Sequence, residues 1–370
     1  MTDTAQTPSH ALGAGLDLES LNLMLEALGD FVDAALSPEL QLELDHEDRC
    51  PEDIVRSMSD PEQLGVQLVF IPEAYDGMDG GAFDAYRVCE VMARKDIGLA
   101  TAVFATFLGS DPIVVGATEE QKQEWLGAIA REGVVFAYGA TEPEAGSDLG
   151  ALETTATPVK NDDGETVEYI INGRKQWISN GTIADFTTIL AKTDAGPSWF
   201  VVPKDAAGFA SAPPEDKHGL RLSNTAALFL DDVHIPAHNL IGGVEGKGLI
   251  QAQQVFGYTR LMVAAFGLGG GWEALDRAIQ YSMNRVQGGS LPVSYTHLRA
   301  HETVLDLVCR LLLEKKKQSQ NKKSHLLYHT SCTFKLQYHD QKISSHLISQ
   351  CITTLSIHIT VQSTHFTKVQ

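Results

Sequence analysis

The chain has 370 residues and a formal net charge of -20. That length admits two or three domains around a large core, and the acidic balance excludes a general nucleic-acid surface. The start has no basic, apolar leader, no uninterrupted apolar stretch reads as long enough to span a bilayer, and five scattered cysteines without Cys-x-x-Cys spacing argue for a reducing compartment and against a zinc site.

Residues 1–14 are mostly polar or small and read as a disordered start. From Asp17 to Leu36, Leu21, Met24, Leu25, Leu28, Phe31, Val32 and Ala35 recur at helical spacing, and Pro38 ends that run. Pro51 and Pro61 are placed to open short helices, and Leu68-Val69-Phe70-Ile71 reads as an extended run. Asp76-Gly77 and Gly80-Gly81 mark turns. Helical patterns follow over Phe83–Arg94 and through Leu99–Ala105, the second nearly all apolar and therefore buried. Thr118 and Gln121 stand at capping-box spacing ahead of Trp125, Leu126 and Ile129. Residues 15–133 thus predict an all-α domain.

At Gly133 the period changes. Val134–Tyr138, Thr154–Val159, Val167–Gly173, Phe186–Leu190, Trp199–Val202 and Ala226–Leu230 read as strands, with a hairpin signal at Asn161-Asp162-Asp163-Gly164. Strands at this spacing without helices between them predict an antiparallel barrel or sandwich over 134–240. From Gly248 to Arg285 apolar residues return to helical intervals, a rod over about 50 Å long if unbroken. Gly267, Gly269, Gly270 and Gly271 call for close packing or a bend. Residues 241–290 then read as the first part of a helical bundle.

Residues 291–370 break the composition. They hold none of the 32 glycines, 8 of the 13 histidines, and 10 Lys+Arg against 4 Asp+Glu. That is a net of +6, so the first 290 residues carry -26. Ser294-Tyr295-Thr296-His297-Leu298-Arg299 and the Leu311–Lys317 run look like out-of-frame translation, and the expectation is a non-native tail.

Two polar stretches carry the chemistry. Tyr138-Gly139-Ala140-Thr141-Glu142-Pro143-Glu144-Ala145-Gly146-Ser147-Asp148 follows a strand and offers backbone N–H groups and two hydroxyls to a polar ring edge or an oxyanion. Gly173-Arg174-Lys175-Gln176-Trp177-Ile178-Ser179-Asn180-Gly181 is its counterpart about thirty residues on. Together with Ile71–Gly77, Thr118–Lys122 and Asp232–Pro236, and with the order of an α, a β and a second helical region, residues 15–290 resemble the acyl-CoA dehydrogenase family. The resemblance implies an α+β, mostly α fold: an N-terminal all-α domain, a middle β-barrel domain and an incomplete C-terminal helical bundle.

It further implies FAD held between the two stretches. Tyr138, Ala140, Thr141, Gly146 and Ser147 would line the flavin and pyrophosphate, with Thr141 at the pyrimidine edge. Trp177, Ile178 and Ser179 would lie along the ring, Ser179 near N5. Arg285 and Gln287 match positions that reach the FAD of a neighbouring subunit. Ser147, Phe256, Tyr258, Thr259 and Arg260 match the substrate's CoA side. The implied reaction is α,β-dehydrogenation of an acyl-CoA, with the α proton taken by a carboxylate, hydride passed to flavin N5, and an electron-transfer flavoprotein as acceptor. A homotetramer in the cytoplasm, with no metal, no nucleic acid and no membrane span, completes the expectation.

One element departs from the family. The bundle-helix position of the base is Thr259, which cannot act as one, and the alternative glutamate would lie beyond the break. Glu273 and Asp276 lie roughly 20–25 Å further along the helix, and Glu302 and Glu314 belong to the tail, so no catalytic residue is nominated. The expectation is most of a flavin site without its base, and hence an inactive chain. Two other readings stay open: a flavin oxidase or monooxygenase on this scaffold, and a non-catalytic binding protein.

Overall fold

The computed structural model describes residues 13–286. Residues 1–12, Gln287 and the 291–370 tail lie outside the described residues, as do Glu302 and Glu314. Gly13 and Ala14, expected to be disordered, are tied down: their N–H groups donate to the Gly80 carbonyl and the Asp79 carboxylate, both at 3.0 Å.

Six helices come first: α1 (Leu18–Ala35), α2 (Pro38–Glu47), α3 (Glu52–Ser59), α4 (Ala82–Lys95), α5 (Ile97–Gly116) and α6 (Glu119–Glu132). Asp17 caps α1, accepting from the N–H groups of Glu19 and Ser20. Pro38 ends α1's run but also opens α2, with Ser37 as its N-cap. Pro61 sits in a turn and opens no helix. Of the run Leu68–Ile71, expected to be extended, only Ile71 is; Val66–Phe70 forms a 3-10 turn that drives Val66, Val69 and Phe70 into the core. The capping box at α6 forms as its sequence requires: Thr118 N–H donates to Gln121 Oε1 at 3.0 Å, and Gln121 N–H to Thr118 Oγ1 at 3.3 Å.

Helix α5 is the spine of this half. It is long and apolar enough to cross a membrane by length and composition, which corrects the sequence reading, yet 83% of its most apolar window is buried inside the fold. It runs on past Ala105 through Pro112, tolerated although the ring removes one helical hydrogen bond.

The β half is one seven-stranded sheet: β1 (Phe136–Gly139), β2 (Thr155–Lys160), β3 (Thr166–Ser179), β4 (Phe186–Thr193), β5 (Gly196–Pro203), β6 (Phe209–Ser211) and β7 (Thr225–Pro236). Its path is β1-β4-β2-β3-β7-β6, with β5 on β4. It is mixed where an antiparallel sheet was expected. β1 pairs parallel to β4, Phe136 opposite Phe186, because β1 comes straight from α6 and the β2–β3 hairpin intervenes before β4. The hairpin turns at Gly164, whose φ of +82° suits glycine.

Helix α7 (Gly248–Asn284) has 37 residues and no break. Trp199 on β5 fixes its start by donating from Nε1 to the Gly248 carbonyl at 3.0 Å. The glycines mark close packing and not a bend: a side chain at Gly269 would fall on the Glu90 carbonyl of α4, and one at Gly270 on Ile97. Gly267 and Gly271 face open space. Gly269→Val is therefore expected to lose ~1–3 kcal/mol by overpacking, whereas Gly271→Ala gains up to ~1 kcal/mol from helix propensity. Urea unfolding of the two variants beside the parent chain checks both signs. Leu261 and Leu268 are exposed among the described residues, but Phe266 is not: it is buried edge-on against Phe104, rings 5.3 Å apart.

Candidate active site

The two polar stretches meet at the head of the sheet, joined by bonds that neither announces alone. Gln176 N–H donates to the Thr141 carbonyl at 3.0 Å. Beside it Lys175, wholly buried, donates to the Ala140 carbonyl at 3.2 Å, to Glu142 Oε1 at 2.6 Å and to the Leu190 carbonyl at 2.6 Å. Three acceptors match the three ammonium donors. Glu142 in turn accepts from the N–H groups of Glu153 at 2.6 Å and Thr154 at 3.1 Å, and its backbone closes a turn with Ala145. The 138–148 loop is thus built around one buried ion pair.

Burial pushes the Lys175 ammonium down to about 8, against the pull of Glu142. Burial works to raise Glu142, but Lys175 and the donors from Thr154 and Glu153 outweigh it and hold the carboxyl below its ordinary 4.5. A carboxyl depressed in the folded state contributes stability that is complete above its unfolded value and is lost as pH falls through the folded one. Acid unfolding monitored by circular dichroism should therefore show a loss below about pH 4.5 that shrinks in Glu142→Gln.

On β3 the pairing with β7 slips twice, between Ile171 and Gly173 and between Lys175 and Ile178. The second bulge holds Trp177 at φ +56°, a left-handed conformation costing ~1–3 kcal/mol for a bulky residue. It leaves the indole 58% exposed. Asn180 follows at φ +60°, wholly buried, donating from Nδ2 to the Ala102 carbonyl of α5 at 2.7 Å. Gln176 donates from Nε2 to Glu215 at 2.7 Å. The bulge is braced on both sides and presents an indole.

Of the residues expected to hold FAD, Tyr138, Thr141, Gly146, Ser147, Trp177 and Ser179 belong to these two stretches. The Thr141, Ser147 and Ser179 side-chain hydroxyls make no hydrogen bond to any described residue. Gly146 has neither a positive φ nor a neighbour within 4 Å of a would-be Cβ, so nothing in the fold itself requires glycine there. Free hydroxyls, a strained exposed indole and an open glycine fit a planar, hydrogen-bonding ring system with an anionic tail. Ala140 and Ile178 are placed differently: their side chains are buried in separate cores, leaving only their main chains for a ligand. Arg285 caps the far end of α7, over the Tyr281 ring, about 39 Å along the helix from Thr259. The described chain does not bring it to these residues.

Phe256, Tyr258, Thr259 and Arg260 do come to the site on α7. Phe256 meets Tyr138 edge-on with rings 6.0 Å apart, and the Arg260 guanidinium lies 5.8 Å over the Phe256 ring. Thr259 is buried and spends its hydroxyl on the Val255 carbonyl at 3.0 Å. Glu273 and Asp276 are committed to Arg277 and Arg94. A separate cavity of about 350 Å³ lined by Asp45, Arg94, Asp96, Arg221 and Glu273 is apart from both stretches; in it Gln41 donates to Asp96 at 2.7 Å and Arg277 pairs with Glu273 at 2.7 Å.

Lys175, Glu142 and Asn180 went unassigned in the sequence. A signal for Lys175 was there: Tyr169, Ile171 and Gly173 share its strand face, and a lysine on an inward face needs a buried partner.

Three family profiles match the chain: acyl-CoA dehydrogenase, N-terminal domain, over 19–133; middle domain, over 137–233; and C-terminal domain, over 246–311. The last runs past the compositional break expected near 290. A short-chain specific acyl-CoA dehydrogenase of Megasphaera elsdenii is 35% identical over 274 residues, 72% of this chain and 69% of that one. A probable medium-chain specific acyl-CoA dehydrogenase of Caenorhabditis briggsae, described as mitochondrial, is 32% identical over 248 residues, 65% of this chain; the alignment spans only 58% of that relative's length. Among solved structures, an acyl-CoA dehydrogenase complexed with FAD from Bacillus anthracis aligns with a TM-score of 0.67 at 30% identity, covering 75% of this chain and 47% of that one.

Proposed function

The chain belongs to the acyl-CoA dehydrogenase family, an FAD-dependent family of oxidoreductases, and from that premise we propose that its two polar stretches clamp FAD and that it dehydrogenates an acyl-CoA thioester. The observation that carries the proposal is the direct tie between the stretches, Gln176 to Thr141 and Lys175 to Glu142, behind an exposed Trp177.

When bound, the flavin supplies a two-electron acceptor. This chain's residues do the rest. Trp177 would shield one ring region from water. Thr141 and Ser179 would donate to the ring's polar edge, where preorganised donors favour developing negative charge. Ser147 would meet the pyrophosphate and the thioester end. Phe256, Tyr258 and Arg260 would flank the CoA arm, the Arg260 charge complementing its phosphates. The expected electron-transfer flavoprotein, the tetramer and the cytoplasmic location belong to this proposal as well.

Anaerobic addition of butanoyl-CoA to the FAD-loaded chain should bleach the flavin absorbance and yield enoyl-CoA by mass spectrometry. Flavin that stays oxidised under saturating butanoyl-CoA and octanoyl-CoA would count against the reading. Reoxidation by air within the mixing time would favour the oxidase alternative.

A further inference from the structure

The bulge that presents Trp177 is braced by a segment with no helix or strand of its own. Residues 212–224 leave β6 at Ser211 and return to β7 at Thr225. Their backbone doubles back along the start of β7: the Ala212 N–H donates to the Ala227 carbonyl at 2.8 Å and the Glu215 N–H to the Thr225 carbonyl at 2.9 Å. That places the Glu215 carboxylate under the Gln176 side chain, one residue before Trp177. At the far end of the segment the Asn224 carbonyl accepts from the Asn180 N–H at 2.9 Å. The Asn224 side chain accepts from the Thr182 N–H at 3.1 Å and donates to the Thr182 hydroxyl at 2.7 Å. One strap thus holds the chain on both sides of the indole.

The strap is itself strained and is fastened from the all-α half. Leu220 stands at φ +55° with its side chain exposed, a left-handed conformation that a bulky residue keeps only where its surroundings over-determine it. Two fastenings flank it. On one side Leu222 is buried in the core of the helical half, and Gly98 at the start of α5 lets the strap lie so close that a Cβ there would be 3.0 Å from the Leu222 nitrogen. On the other side the strap is tied to Asp48, 169 residues from Lys217 in sequence. The Asp48 carboxylate accepts from the Lys217 N–H at 2.8 Å and from the Lys217 ammonium at 3.2 Å, and the Arg221 guanidinium lies 3.9 Å away. Asp48 closes α2 at φ +50°, which turns its side chain inward and leaves it 13% exposed. Burial works to raise the carboxyl, but Lys217 and Arg221 outweigh it and hold the group below its ordinary 3.8. The tie is therefore a charged and largely buried one, unlike the exposed pairs on the surface.

We infer that Asp48 is a positioning residue for the flavin clamp: it fastens the 212–224 strap, and the strap holds the Trp177 bulge in the conformation that faces the ring. This rests on the reading of the two polar stretches as an FAD clamp. Asp48 makes no hydrogen bond to either stretch among the described residues; it acts through Lys217, Glu215 and Gln176. The mechanism is one of population. A bulge that carries a bulky residue at positive φ relaxes when its brace is loose. A ligand that needs the braced form then binds with an affinity reduced by the fraction of chains that still hold it. Release of the strap therefore weakens FAD binding without removing any group assigned to touch FAD.

The test uses Asp48→Gly, which removes the carboxylate and keeps the backbone, since glycine accepts φ +50° without strain. Trypsin reads the strap in the free chain, because cleavage after Lys217 and Arg221, followed by mass spectrometry, tracks the population of the open form. Titration with FAD reads the clamp. Asp48→Gly should be cleaved in the strap about ten- to a hundredfold faster than the parent, the loss expected for hydrogen bonds to a charged group. It should bind FAD about fivefold or more weakly. In a Trp177→Gly background the same substitution should change FAD affinity less than about twofold, because the group it positions is gone. Strap cleavage or FAD affinity at the parental value in Asp48→Gly overturns the inference. An equal loss of affinity with and without Trp177 overturns it too, by making Asp48 a general support of the fold. Where Asp48→Gly melts below the assay temperature, Asp48→Asn carries the test: it keeps an acceptor for the Lys217 N–H and loses only the charge, and parental cleavage or affinity in it overturns the inference. Each of these results leaves FAD binding by the parent, and with it the proposed function, standing. A folded parent that binds no FAD overturns both.

Discussion

Lys175→Met is expected to cost ~3–5 kcal/mol of unfolding free energy, the largest effect of any single substitution considered. Methionine fills much the same volume, so packing is not the cause. The cause is Glu142, left charged and buried with the Glu153 and Thr154 N–H groups as its remaining donors. The Ala140 and Leu190 carbonyls lose their donor at the same time. Urea unfolding gives the number, and a double variant locates it. Lys175→Met combined with Glu142→Leu should recover most of the loss, because an apolar pair of similar volume can replace a buried ion pair at little net cost. The double variant should nonetheless fail to hold FAD, since the 138–148 loop is shaped by the bonds that Glu142 makes.

Trp177→Gly has the second-largest expected effect, and its two readouts move in opposite directions. Glycine accepts φ +56° without strain, and the exposed indole forfeits little burial on removal. The free chain should therefore gain up to ~1 kcal/mol in urea unfolding, the relief of strain less glycine's added chain entropy. FAD affinity should fall by about ten- to a hundredfold, since aromatic stacking on a planar ring is worth ~1–3 kcal/mol. A stability gain joined to a binding loss separates a ligand-facing tryptophan from a core one. A core tryptophan would lose both.

Much of the fold was legible because its local signals agree with its tertiary structure. The Thr118–Gln121 box, the Asn161–Gly164 hairpin and the 3.6-residue period of α7 each specify one outcome, and each forms. The misreadings have local causes too. Pro112 hid the second half of α5, because a proline in a helical run reads as its end, whereas here the packing of Gly109 on Ala137 carries the helix past it. The bulge between Lys175 and Ile178 broke the alternation of β3, so a strand that runs to Ser179 read as ending at Gly173. The parallel β1–β4 pairing left no trace in either strand's composition, since register between distant strands is set by what lies between them.

The site divides the same way. Its unbonded hydroxyls and exposed indole stood out as polar or bulky residues in glycine-rich turns. Its supports did not. Glu142, Lys175 and Asn180 act through contacts far away in sequence, with each other, with Leu190 and with Ala102.

Titration of the purified chain with FAD, followed by tryptophan fluorescence in the parent and in Trp177→Phe, tests the clamp most directly. The account predicts one FAD per chain, with strong quenching in the parent that is largely lost in Trp177→Phe, and no saturable binding in Lys175→Met. A chain that melts cooperatively but binds no FAD, or that binds it with identical quenching in parent and Trp177→Phe, would contradict it.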